Sequence, residues 1–266
     1  MKKILINYEY QYAPQTTAWY FEQAIKRQEG LQGFRLGQIK PEEADLILNF
    51  MPCARIITAK GVKSAYWEGD CHLIQGRKTE IYELVDYVFI AQSPFMEFYP
   101  KEKTYYLPHA CDPTVHHRIE GVEQLYDVGF IGNDTYPRRR RLLDSIGAKY
   151  KLLRTTTEPG LPFSEALSRC KIAFNCSMNQ DVNMRFFEAM AIGRMLITDY
   201  LPAQNEFAKE GIHYVSFRDW EDLDQKIAYY LEHEKEREKI AREGSIYIRR
   251  HHNYDERLKK ILEIMK

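Results

Sequence analysis

Apolar residues fall in short runs separated by stretches of helical spacing along the whole chain. Ile4, Leu5 and Ile6 form the first run, and a helical pattern over 16–27 follows it. Strand-like runs at 45–49, 63–67, 87–91 and 104–107, with helical patterns near 79–84 and 94–99, continue the alternation. Short buried strands with intervening helices predict a parallel sheet. The polar stretch 117–124, which carries Gly121, reads as a linker. Beyond it come strands at 127–131, 150–153, 171–175, 196–198 and 214–216, and helices at 138–146, 164–169, 183–193 and 203–208. Helices dominate after Asp219. The pattern predicts an α/β protein of two Rossmann-like lobes, 1–117 and 118–266, facing across a cleft at the carboxyl ends of their strands, where such sheets bind ligands.

The helix over 183–193 has the clearest chemistry. Asn183 is placed to cap its first turn, Met184, Phe187 and Met190 or Ala191 make an inward stripe, and Gly193 stops it. A helix N-terminus suits a phosphate, and Arg185 and Glu188 sit one turn apart beside it. A second candidate is the strand-turn-helix passage from Asp127 to Arg138. Gly132 lets a backbone approach a phosphate closely and Arg138 is placed to clamp it; the alternative is an ordinary strand-to-helix turn.

Composition narrows the classes. Hydrophobic residues make up 44% and charged residues 29% of 266, with zero formal net charge, so no long-range field draws in nucleic acid or an anionic membrane. The arginines at 138–141 point in different directions around a helix and do not make a basic patch, so no nucleic-acid partner is expected. No signal peptide or membrane-spanning run is visible, and a cytoplasmic protein is expected. Five scattered cysteines without Cys-x-x-Cys spacing predict neither disulfides nor zinc. The pairs His116–His117 and His251–His252 lack ligand-spaced companions, so no metal site is expected.

The segment 185–193, with its Glu-Ala-x-Ala-x-Gly core, resembles the signature of group 1, family 4-like glycosyltransferases. The passage 126–133 with Tyr136, Pro137 and Arg138, and the tail 196–257, look like the spore-maturation (CgeB-type) branch of those enzymes; the likeness is clear from about residue 105 onward. The resemblance implies the GT-B fold, with terminal helices crossing back to the first lobe. It also implies a nucleoside diphosphate sugar as donor substrate, no tightly bound cofactor and no metal. Glu188 then holds the ribose diol, with a surface ion pair to Arg185 as the competing role. Gly132, Asn133, Arg138, Asn183 and Arg185 surround the diphosphate. Gln180 stands where the family has a glutamate near the donor sugar, with Asp181 beside it to supply charge, and this departure leaves inverting and retaining outcomes both open.

The first lobe is expected to take the acceptor, a glycan, protein or small molecule, for a cell-surface or spore-surface product. Asp70 matches an aspartate that follows the aromatic strand in the CgeB-type branch and is the candidate general base, with a simple turn role as the alternative. Glu68, His72, Tyr8 and Tyr10 are further acceptor candidates, Tyr12 lies in the same tyrosine-rich loop, and His109 either approaches the donor or packs the hinge. Two rivals stand beside the transferase: a catalytically silent nucleotide- or glycan-binding partner subunit of the same fold, and a dehydrogenase, which the lack of G-x-G-x-x-G spacing disfavours.

Overall fold

A computed structural model describes residues 1–10, 16–74, 79–157 and 159–266, without the side chains of His72, Ile74 and Thr79. The chain forms two compact units, Met1–His109 with Tyr254–Lys266, and Ala110–Asn253. The first contains β1 (Lys2–Asn7), α1 (Thr17–Arg27), β2 (Leu31–Arg35), β3 (Leu46–Phe50), β4 (Lys63–Glu68), α2 (Cys71–Ile74), α3 (Thr79–Leu84), β5 (Tyr87–Ile90) and β6 (Thr104–Tyr106). Its sheet has the order β2-β1-β3-β4-β5-β6, with every pairing parallel. β3 is buried along its whole length, as a central strand covered on both faces must be. Each of its fully buried aliphatic side chains contributes roughly 2 kcal/mol through removal from water. At the switch point between β1 and β3, Asn7 and Asn49 are register partners joined by a 2.7 Å hydrogen bond. Their remaining amide groups bond Arg55 O, Ile57 N and O, and Ala65 O, so this crevice spends its polar groups on the chain itself.

The second unit contains β7 (Tyr126–Ile131), α4 (Pro137–Lys149), β8 (Leu152–Thr155), α5 (Leu161–Ser168), β9 (Cys170–Phe174), α6 (Met184–Ala191), β10 (Met195–Asp199), β11 (Val215–Phe217), α7 (Trp220–Glu232) and α8 (Glu234–His251). Its parallel sheet runs β11-β10-β9-β7-β8, with the order reversing between β7 and β9. Val128, Phe130, Ile172, Phe174 and Ile197 from the strands meet Leu143 and Ile146 of α4 and Leu223 and Ile227 of α7 in its core. After α8 the chain returns to the first unit as α9 (Tyr254–Ile264). Tyr254 stacks on Tyr20 and meets Phe21 edge-on, while Arg27 makes a two-pronged ion pair with Asp255.

Four elements differ from the pattern-based reading, among them the short α2, which it did not expect. β2 joins the sheet edge although its alternation is weak. The segments expected to be helical at 94–99 and 203–208 are 3₁₀ turns, Ser93–Phe98 and Pro202–Glu206, each with proline in its first turn. The compact units divide at His109/Ala110 rather than at 117/118, and α9 belongs with the first. The polar stretch read as a linker is tied into the second unit where Ile119 N–H donates to Ser168 Oγ at 3.0 Å, and its flanks are held by Leu125 N–H to Arg169 O at 2.8 Å and Ser164 Oγ to Val115 O at 2.7 Å.

Candidate functional site

The switch point between β7 and β9 gathers the candidate residues of the second unit. β7 runs into Gly132, whose N–H donates to Thr155 O at 2.9 Å, so this glycine offers room and not a free donor. Arg185 fills that room. Gly132 has φ +142°, which favours glycine, and a Cβ there would meet Arg185 Nη2 at 2.0 Å, so any side chain would also push the guanidinium from its place. Arg185 Nε donates to Ile131 O at 2.7 Å and Nη1 to Asn175 Oδ1 at 3.2 Å, with its guanidinium 4.8 Å from the Phe130 ring centroid. Burial lowers its pKa to about 10, which leaves it charged at neutral pH. Among the described residues Arg185 makes no carboxylate ion pair.

Asn183 is the N-cap residue of α6 but does not cap with its side chain. Its Nδ2 turns to Asn175 Oδ1 at 3.4 Å, and its buried Oδ1 has no hydrogen-bond partner among the described residues. The helix is closed by its backbone instead, with Phe186 N–H donating to Asn183 O at 3.1 Å. Asn133 Oδ1 accepts from Thr135 N–H and hydroxyl at 2.8 and 2.7 Å, forming the turn that leads into α4. Of the four consecutive arginines, Arg139 alone is buried: it bonds Asn133 O at 2.6 Å and Cys176 O, stitching the ends of β7 and β9 together. Arg138, 51% exposed, pairs with Asp199 at 2.7 Å, and Asp199 also accepts from Ser177 N–H at 2.8 Å.

A groove of about 500 Å³ adjoins these residues, lined among others by Tyr136, Arg138, Ser177, Gln180 and Tyr200. Gln180 is exposed on it and follows Asn179 in the left-handed region, with φ +63° and +49°. Each such non-glycine position costs on the order of 1 kcal/mol, so the loop is held by its surroundings. Asp181 supplies part of that hold: it is buried, and its Oδ1 accepts the Met178 N–H.

Glu188 does not pair with Arg185. Its Oε1 lies 3.3 Å from Nε2 of the wholly buried His116, whose Nδ1 accepts the Asp112 N–H at 2.9 Å. Burial raises the Glu188 pKa to about 7, against the opposing pull of Arg185, and lowers that of His116 to about 3.

In the first unit, the carboxyl end of β4 separates Glu68 from Asp70. Glu68 is fully buried and accepts from the hydroxyls of Tyr82 at 2.7 Å and Tyr99 at 3.2 Å. Asp70 is exposed, and its carbonyl accepts the Leu73 N–H at 2.9 Å to open α2. Tyr8, at the end of β1, shares a hydrogen bond with Thr16; burial, with Asp70 adding to it, raises the pKa of this phenol. Tyr10 bonds Glu22 at 3.3 Å under the Arg35 guanidinium. His109 is buried edge-on against Trp67 at 5.1 Å, and its carbonyl accepts from Arg257 of α9 at 3.1 Å. A Cβ on Gly69 would meet the Trp67 ring at 2.6 Å, so glycine is needed there for the close approach. The side chain of His72 and the whole of Tyr12 lie outside the described residues. Among those described, no cluster of three histidine, cysteine or acidic side chains is placed to hold a metal ion, and no helix is long and apolar enough to cross a membrane.

Pattern reading missed Asn175, Arg139, Asp199 and His116. Asn175 and Asp199 stand at carboxyl ends of strands, a usable signal; Arg139 was hidden in an arginine run, and His116 was weighed only as a metal ligand.

Two parallel α/β sheets, the second with its polar groups gathered at the order reversal, define the GT-B glycosyltransferase architecture. The chain aligns with sucrose-phosphate synthase of Thermosynechococcus elongatus at TM-score 0.66 and 8% identity, over 99% of this chain and 98% of that one. HepE of Anabaena, solved with UDP and glucose, aligns at TM-score 0.62 and 12% identity over 99% of each. TarM of S. aureus aligns at 0.60 and 10% identity over 83% of this chain, which spans about half, 54%, of TarM. The chain belongs to the glycosyl transferase-like family, whose model matches residues 114–263. No curated protein matches it.

Proposed function

We propose that the protein transfers a sugar from a nucleoside diphosphate sugar to an acceptor hydroxyl. The observation that carries this reading is Arg185, a cation set into the switch point of the second sheet with neutral oxygens and a ring around it. Glu188 and Asp181 act on this half-buried cation without forming an ion pair with it, so its guanidinium has no carboxylate in contact among the described residues, and a diphosphate arriving at the α6 N-terminus supplies an anion for it. As the bond from sugar to phosphate breaks, negative charge grows on the leaving group beside Arg185, while Arg138 lines the neighbouring groove. Charge supplied by arginine lets the transfer run without a metal. Glu188 takes the ribose diol, and the groove beside Gln180 and Tyr200 receives more of the donor. HepE, similar in fold, is solved with UDP and glucose, which supports a nucleotide sugar here.

The first unit takes the acceptor in this reading, and Asp70 is the base that accepts the hydroxyl proton. Exposure favours Asp70 over Glu68, because a base must reach a group arriving from solvent, whereas Glu68 is buried under two tyrosines. The residues shared with the CgeB-type branch point to a cell-surface or spore-surface glycan as the product.

One observation favours a second reading, a silent nucleotide-binding subunit: the amide of Gln180 stands where the family places a carboxylate. Release of nucleoside diphosphate from UDP-glucose, UDP-N-acetylglucosamine, GDP-mannose, ADP-glucose and dTDP-glucose separates the two. A transferase releases nucleoside diphosphate from one of them slowly, by hydrolysis, without acceptor and faster, by transfer to the acceptor hydroxyl, with one, and Asp70→Asn cuts the accelerated rate by about 100-fold with nucleotide affinity unchanged. Saturable binding without turnover of any donor supports the silent subunit instead.

A further inference from the structure

The side chain of Glu188 is only 11% exposed, and the cation one turn before it is committed elsewhere, to Ile131 O and Asn175 Oδ1. Its orientation is therefore set by another group. The turn that follows β6 provides it. Asp112 Oδ1 accepts from Thr114 N–H and hydroxyl at 2.9 and 2.6 Å, and Asp112 O accepts the His116 N–H at 2.8 Å. This closed turn aims the His116 imidazole at α6, with Phe163 edge-on to its ring at 6.4 Å. Because Nδ1 accepts the Asp112 N–H, the proton of the neutral ring must sit on Nε2, the atom facing Glu188 Oε1.

We propose that His116 is a specificity-determining positioning residue for the ribose: it holds Glu188 Oε1 through Nε2–H and so presents Oε2 to a sugar hydroxyl. This rests on the reading of Glu188 as the ribose-binding carboxylate. A carboxylate free to rotate would meet the diol in several orientations and lose part of the discrimination between ribose and deoxyribose. His116 touches neither donor nor reacting atoms; it acts through Glu188.

Calorimetric titration with UDP and 2′-deoxy-UDP, and with the same pairs of GDP, ADP and CDP, tests this on the whole protein. Wild type is expected to prefer the ribonucleotide by at least about tenfold, the worth of one hydrogen bond to a charged group. His116→Phe, which keeps an aromatic ring of similar size, loses most of that preference while its affinity for the deoxynucleotide stays within about twofold. His116→Gln, which keeps one acceptor and one donor, restores much of the preference. Equal loss for both nucleotides in a folded His116→Phe protein, or an unchanged preference, overturns the proposal; if His116→Phe does not fold, an unchanged preference in His116→Ala does. A wild type that binds a nucleotide without discriminating the sugars refutes the reading of Glu188 itself, and the proposal falls with it.

Discussion

Glu188 is held at a cost that its surroundings explain. Burial raises its pKa from 4.5 to about 7, so the folded protein keeps this proton over a range where the unfolded chain has released it. Stability from this group is therefore greatest below about pH 4.5, declines as pH rises toward 7, and is flat above that, a total of about 3 kcal/mol at 1.36 kcal/mol per unit. His116 stays neutral throughout, since burial holds its pKa near 3. In urea unfolding, Glu188→Gln should gain up to about 3 kcal/mol relative to wild type between pH 5 and pH 8; a difference that does not change with pH contradicts the assignment. Of the residues around this carboxylate, the sequence made Glu188, Arg185 and Gly132 legible because they lie within one helix or one turn. It could not pair Glu188 with His116, which is separated by three strands and two helices and carries no spacing rule.

At the scale of elements, strands were legible wherever both faces are covered. β3 reads as the apolar run Leu46-Ile-Leu before Asn49, and β9 as Ile172-Ala-Phe after Lys171, whereas β2, with Gln32, Gly33 and Arg35 at the sheet edge, has no periodicity to find. The 3₁₀ turns at Ser93–Phe98 and Pro202–Glu206 looked helical because propensity says little about a segment too short to propagate. The return of α9 to the first unit came from family resemblance, and Tyr254 is its largest buried side chain there, beside the Arg27–Asp255 ion pair and the Arg257 bonds to Pro108 O and His109 O. Tyr254 is wholly buried between Tyr20 and Phe21 of α1. Tyr254→Ala should cost the first unit about 3–5 kcal/mol by the lost area and the cavity left behind. Hydrogen exchange is expected to show that loss as faster exchange in α1, β1 and β3 with β7 and β9 unchanged; uniform protection would show that α9 does not anchor its unit.

For the whole molecule, the chain passes from the first unit to the second at His109/Ala110 and back at Asn253/Tyr254. The family model covers 114–263, most of which is the second unit. That is why the second unit carried a family reading of its residues and the first unit did not: Glu68 and Asp70 look equivalent two residues apart in a sequence, and only burial tells them apart. The central claim is that the crevice between β7 and β9 binds a nucleoside diphosphate through Arg185 and Glu188. Thermal melting of wild type and Glu188→Ala in the presence of UDP, GDP, dTDP, CDP and ADP tests it most directly, since a ligand bound only by the folded state must raise the melting temperature. One nucleotide should raise the wild-type transition, and Glu188→Ala should abolish that rise. No rise with any nucleotide, or a rise that survives Glu188→Ala undiminished, would contradict the account.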